Sequence, residues 1–396
     1  MERRDFLKSS VFASGVVLIP SFLKGMQFID TEKLSGYRNV IIIQLSGGND
    51  GLSTIVPHQD DIYLKNRPNI GLRDNLFKLS DELYLNSHCR DLKELYDNGE
   101  MTIINSVGYP NPNRSHFRST DIWHTGSASD QFLKNGWLGS YLDANCESSY
   151  QGIQFDSELS LILKGKNLNG ISVTDPQQLF NTTREPFFKN IAEQLDSEML
   201  TEDNQGYLYK TLVDTYSSAD YIYEHFKTYE ANSEFPNNKF GISLKGISQL
   251  ISSGLKTRVY YTTLGGFDTH VNQLNAHNGL MKTYSEGIGA LVKELKKSDR
   301  FKDTLILTFS EFGRRVKENG SKGTDHGAAN NLFVIGGGLK KPGLYNGKPN
   351  LENLDNNGDI RYEIDFRDIY ATVLDNWLQA DSRLVLGKEF EKLSFI

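Results

Sequence analysis

The stretch from Arg258 to Gly338 opens as RVYYTTLGGFDTHVNQLNAHNGLM and, after a helix-like segment, closes as DTLILTFSEFGRRVKENGSKGTDHGAANNLFVIGGG. Its three apolar runs are Arg258–Leu264, Thr304–Phe309 and Leu332–Ile335. They are short, rich in β-branched residues and bounded by glycine or charge, which reads as buried strands. Just past the first two, and just before the third, stand acids and histidines: Asp268 and His270, Glu311, and Asp325 with His326. In open α/β sheets, chemistry collects in the crevice beyond the carboxyl ends of the strands. Carboxylates and imidazoles gathered there are ligands for a hard or borderline divalent metal. The stretch therefore reads as the floor of a metal site.

Working outward, Arg38–Leu45 (RNVIIIQL) is apolar almost throughout, as a central parallel strand is. It ends in Ser46-Gly47-Gly48-Asn49-Asp50-Gly51. This is not the G-x-G-x-x-G of a dinucleotide site, and the residues after it are not helical. Asp50 at this strand end reads either as a metal ligand or as a turn aspartate. Met101–Val107 is a further strand, followed by the loop GYPNPNRSHFRSTDIWHTG. Ser115 falls where a helix starts. Free N–H groups there suit an anion, which makes Ser115 a candidate nucleophile; the plain alternative is a capping serine. Arg114, His116 and Arg118 flank it and are placed to hold an anion, and His124 is either a supporting or a packed residue. Asn275–Lys297 is the helix between the strands carrying Asp268 and Glu311; His277 in its first turn either reaches the site or, the favoured reading, caps the helix.

Helices are also expected at Cys89–Asn98, Gly136–Asn145, Phe240–Gly254 and Arg367–Gln379. The long charged segment Glu185–Asn232 reads as helical, its aromatic stripe as core. Together with Phe240–Gly254 it forms a helical cap or insertion over about 185–255. Asp355, Asn357 and Asp359 mimic the start of a calcium loop. Ile360 and Phe366 stand where that loop needs Gly and Glu, so the segment reads as a solvated turn.

The chain has 396 residues, 38% apolar and 23% charged, enough for a large packed core. A net charge of −7 argues against a nucleic-acid surface. Two cysteines, Cys89 and Cys146, exclude a cysteine-rich zinc module and leave their pairing open. At the amino terminus, Arg3-Arg4 precede Phe6-Leu7-Lys8 and an apolar run from Val11 to Leu23 that is short for a membrane span. Paired arginines in that setting are similar to a twin-arginine signal. The expected organisation is an export signal over 1–30 and a single domain over 31–396. The protein would be periplasmic or at the cell surface, with the twin-arginine translocase as a partner and no stable membrane span.

The motifs GGNDGLSTIVP, SHFRSTDIWHTG, GFDTHVNQ, SEFGR and GTDHG, in that order, resemble the exported family called domain of unknown function 1501, within the alkaline phosphatase and sulfatase superfamily. The resemblance implies an alkaline phosphatase-like α/β fold, with a mainly parallel central sheet flanked by helices and a helical insertion. It implies Asp50 as the first-strand ligand, Ser115 as the nucleophile, Asp268 and His270 as a ligand pair, Glu311 as a ligand, and His326, assisted by Asp325, as the later one. Arg314 or Arg114 would neutralise substrate oxygens. Phe312 stands where the superfamily has a histidine, so a second metal would rest mainly on Asp50, Glu311 and Ser115. Three outcomes stay open: one tight metal, a harder oxygen-bound ion at the second position, or a degenerate site. The cofactor would be a divalent ion (Zn, Mg, Mn or Ca). The implied activity is hydrolysis of phosphate or sulfate esters, the substrate being a small anionic ester or polymer. The alternative is a non-catalytic binding or assembly protein on the same fold.

Overall fold

Asn39–Leu45 (β1) is buried at every position. Its alternate residues enter different cores: Ile41, Ile43 and Leu45 one, Val40 and Ile42 the other. A strand flanked by two cores has no polar face, which is why its sequence shows no alternation. The computed structural model describes residues 36–193 and 204–396, so the proposed signal over 1–30 lies outside the described residues.

The other strands of the central sheet are Met101–Gly108 (β2), Gly152–Gln154 (β3), Ile171–Ser172 (β4), Val259–Leu264 (β5), Thr304–Phe309 (β6), Asn330–Gly336 (β7), Gly343–Leu344 (β8) and Ile364–Asp365 (β9). Their order is β8-β2-β7-β6-β1-β5-β3-β4, with β9 also pairing with β2. β1 lies parallel between β5 and β6, in the registers Ile42 to Tyr261 and Ile42 to Leu307. Among the described strands of this sheet, only β7 runs against its neighbours, β2 and β6. The sheet is thus mostly parallel with one reversed strand.

That reversal positions the site. Residues that follow β1, β5 and β6 emerge at the carboxyl edge of the sheet. An antiparallel strand begins at that same edge, so residues preceding β7 join them. Between β6 and β7 the chain makes a two-stranded ribbon, Arg314–Glu318 against Thr324–His326, with Arg314 opposite His326.

The helices that matter here are His116–Thr125 (α1), Asn204–Phe226 (α2), Lys239–Ser252 (α3), Gln273–Lys297 (α4) and Phe366–Thr372 (α5). Leu244, Ile247, Leu250 and Ile251 of α3 and Tyr284, Ile288, Leu291 and Leu295 of α4 pack into the core that holds Ile41 and Ile43. Ile122 and Trp123 of α1 and Ile369, Tyr370 and the following Val373 and Leu374 fill the opposite core. Each such side chain contributes roughly 1.5–3 kcal/mol of burial. α3 is therefore part of a covering layer, and α2 packs on it and on Pro176–Thr183. Cys89 and Cys146 are free thiols, Cys89 fully buried.

Candidate metal centre

Gly47 shapes the edge. It has φ +119°, and a Cβ there would sit 2.5 Å from the backbone nitrogen of Asp268. Glycine lets the loop after β1 press against Phe267–Asp268, the turn after β5. Glu311, two residues past β6, accepts from the Gly47 N–H at 2.7 Å and from Gln44 Nε2 at 3.3 Å. Its Oε1 also lies 2.9 Å from His116 Nδ1, in the first turn of α1.

Three imidazoles converge on Asp268. His270 Nε2 is 2.9 Å, His326 Nε2 3.1 Å and His116 Nε2 3.5 Å from Asp268 Oδ1. His270 Nε2 and His326 Nε2 are themselves 3.0 Å apart. On the far side, each ring has an acceptor for Nδ1. His116 has Glu311, His270 has Asp325 Oδ1 at 3.4 Å, and His326 has the Arg114 carbonyl at 2.8 Å. A carbonyl or carboxylate accepts, so each Nδ1 carries the proton and each Nε2 turns a lone pair inward. His116 Nε2 is buried without a hydrogen-bond partner.

This set fits a metal. Ligands about 2.0–2.1 Å from a tetrahedral ion lie about 3.3 Å from one another, which is the range of the distances above. His116, Asp268 and His326 offer one ligand atom each within 4.8 Å of one another, and His270 Nε2, beside Asp268 and His326, is a further candidate donor that would make three nitrogens and an oxygen. That donor set suits zinc or another borderline divalent ion. The electrostatics agree with it. Glu311, through its hydrogen bond, raises the His116 pKa, and burial lowers that of His326. Partial burial works against Asp268 ionisation, but the Arg314 guanidinium, donating to Oδ1, holds its carboxyl well below the usual range.

Arg314 ties the loops together. Its Nε donates to the Gly48 carbonyl at 2.7 Å and its Nη1 to the Thr324 carbonyl at 2.9 Å. Nη2 donates to the carbonyls of Gly47 and Phe267 and, at 2.7 Å, to Asp268 Oδ1. One buried guanidinium thus fixes the turns after β1 and β5 and the ribbon before β7. With its donors spent on protein, it is not a group that neutralises substrate oxygens, as the sequence suggested. It positions Asp268.

Several other expected residues take different places. Asp50 is fully buried and gripped by Arg67, whose Nη1 and Nη2 reach Oδ2 at 2.6 Å and Oδ1 at 3.0 Å. Ser53 and Gln273 donate to it as well. Asp50 is thus committed to a buried ion pair with Arg67, and it is not part of the clustered ligand atoms. Glu311 and Asp325 act behind His116 and His270. Arg114 engages Asp355 and Asp359, and only its carbonyl faces the centre. The segment read as a solvated turn is partly interior: Asp359 is buried, and the Arg114 guanidinium lies against both aspartates. Phe312 is buried against the rings of both His116 and His326, at centroid distances of 4.8 and 4.7 Å. Ser115 is the exposed N-cap residue of α1, yet its hydroxyl makes no capping bond.

His116 is a candidate ligand the sequence did not single out as one. It sits beside the more conspicuous Ser115, and its tie to Glu311 spans 195 residues. His277, expected to cap its helix, is buried against Asn49 Oδ1 at 3.0 Å. His124 is buried on Gln44 Oε1, 3.1 Å away, and Gln44 in turn meets Glu311.

A family model described as "Protein of unknown function (DUF1501)" matches residues 99–389. The chain belongs to this DUF1501 family. No curated protein matches it. Among solved structures, the DUF1501 chain is similar to the PsFucS1 sulfatase from Pseudoalteromonas sp., at 13% identity and a TM-score of 0.41, over 99% of this chain and 75% of that one. It is also similar to the phosphonate monoester hydrolase SpPMH from Silicibacter pomeroyi, at 10% identity and 0.44, over 90% and 78%. A third is the lipoteichoic acid synthase LtaP from Listeria monocytogenes, at 12% and 0.35, over 82% and 72%. The architecture of the DUF1501 protein stands on its own sheet order and register.

Proposed function

We propose that this DUF1501 protein is an exported hydrolase of phosphate or sulfate esters, working with one divalent metal. The observation that carries the reading is the convergence of His116, His270 and His326 Nε2 on Asp268 Oδ1, each Nδ1 held from behind. His116, Asp268, His270 and His326 would hold the ion. When bound, the ion would act as a Lewis acid toward an ester oxygen and favour the ionised form of a nearby hydroxyl. Ser115 is assigned as the nucleophile, since its hydroxyl is exposed, uncommitted to capping and adjacent to His116. The first N–H groups of α1 supply a positive dipole end for the anionic group. The rival reading, a binding or assembly protein, draws on Phe312 and on the Asp50–Arg67 pair, which leave no second cation beside the first.

Metal-loaded protein tested on aryl phosphates, aryl phosphate diesters and aryl sulfates decides between them. The hydrolase reading expects turnover of at least one class, lost in Ser115→Ala with metal content unchanged. Bound metal with no turnover in any class would favour the binding protein. Export through the twin-arginine route is proposed from Arg3-Arg4. Replacing both by lysine should hold the precursor in the cytoplasm, and normal export of that variant would refute the route. Among the described residues no helix is long and apolar enough to cross a membrane.

A further inference from the structure

A cleft of about 820 Å³ opens beside the metal centre, with no assigned occupant. Its walls are the loop Gly108–Arg114 and the turn that begins at Asp355, and its floor is Ala328 and Ala329. Both sides lead directly into the centre. Arg114 is two residues from His116 and Ala328 two from His326, so each lies within about 7 Å of a ligand residue along the chain. The Arg114 carbonyl also holds His326.

We infer that this cleft binds a polyhydroxylated, uncharged group, a short glycan or similar polyol, as the leaving-group side of the ester. The inference rests on the hydrolase reading for the word ester; the binding itself does not. Three features carry it. First, the cleft has the volume for several sugar-sized groups, and Ala328 and Ala329 add little bulk to its lining. Its volume is that of a ligand pocket. Second, its two cations are outnumbered by carboxylates. The Arg114 guanidinium is held by Asp355 and Asp359, and Arg361 is accompanied by Glu363. That arrangement offers no surplus cation for a second anion. Third, exposed amides at Asn111, Asn356 and Asn357 present donors and acceptors side by side, which match hydroxyl groups. The ring of Tyr362, 39% exposed, adds an apolar face. Trp123, also lining the cleft, has an indole N–H without a partner. An acyl chain would leave these polar groups unpaired, which is costly.

The test is saturation-transfer NMR on the full metal-loaded chain, with neutral hexasaccharides of glucose, mannose, xylose and N-acetylglucosamine as probes. Short acidic and basic peptides serve as the competing class. At least one hexasaccharide should bind, and the double variant Asn357→Ala, Tyr362→Ala should weaken it about tenfold or more, with metal content and circular dichroism unchanged. Ala329→Leu, which narrows the floor, should weaken it independently. No hexasaccharide binding, binding of peptides instead, or binding indifferent to these variants would overturn the inference. Aryl-ester hydrolysis measured in parallel separates the two ideas. Sugar binding without hydrolysis removes only the hydrolase reading, and hydrolysis without sugar binding removes only this one.

Discussion

His326→Ala is expected to strip the centre of its ion. Loss of an outer partner to a metal-binding histidine alone weakens affinity by about 10–100-fold, so loss of a ligand nitrogen should cost roughly 100-fold or more. Asp268→Ala should do the same, with an added loss of stability, because the buried Arg314 guanidinium loses its one carboxylate partner among the bonds described above. Glu311→Gln should give a milder loss, since the amide still accepts from His116 Nδ1 but without charge. Competition with a chromophoric chelator measures all three. If His326→Ala bound metal as tightly as the parent protein, the ligand set would be wrong.

Asp50→Ala is expected to damage the fold and spare the centre. Arg67 is fully buried and would keep only the carbonyls of Val316 and Arg315, at 2.9 Å each, and Ser53 Oγ as acceptors. Removing one partner of a buried ion pair costs about 3–5 kcal/mol. Thermal and denaturant unfolding would register that loss, while metal content per folded chain stays unchanged. A double replacement, Asp50→Leu with Arg67→Met, should recover much of the stability, because an apolar pair leaves no uncompensated charge. The pair also sets a pH window. Burial works against Asp50 ionisation, but the Arg67 charge and its hydrogen bonds outweigh it and hold the pKa to about 2. A depressed folded pKa gives stability that is present above the ordinary carboxylate range, near 4. It is lost as pH falls from there toward 2. If Asp50→Ala lost metal with little loss of stability, Asp50 would be a ligand after all.

The fold was legible where local signals were strong. β1, β5 and β6 stood out as β-branched runs ending in glycine or acid, and α4 as the crossover between two of them. The reversed direction of β7 was not legible. A strand buried on both faces is apolar throughout and carries no mark of its direction. At the candidate site, the strand-end rule placed Asp268 and His270 together with His326, because a reversed β7 still starts at the carboxyl edge. The same rule misled for Asp50. It too follows a strand, but its partner Arg67 lies 17 residues on, in a stretch with no pattern that ties the two. Arg114 and the turn at Asp355–Asp359 each read as free, and only the tertiary fold puts one against the other. His116 was hidden because the bond that orients it runs to Glu311 on a different element.

The central claim is a single centre built from His116, Asp268, His270 and His326. Plasma mass spectrometry on protein purified without chelator counts its ions directly. The expected result is one borderline divalent ion per chain, absent from His326→Ala and retained in Ser115→Ala and in folded Asp50→Ala. Two ions per chain, or metal content that His326→Ala leaves unchanged, would contradict it.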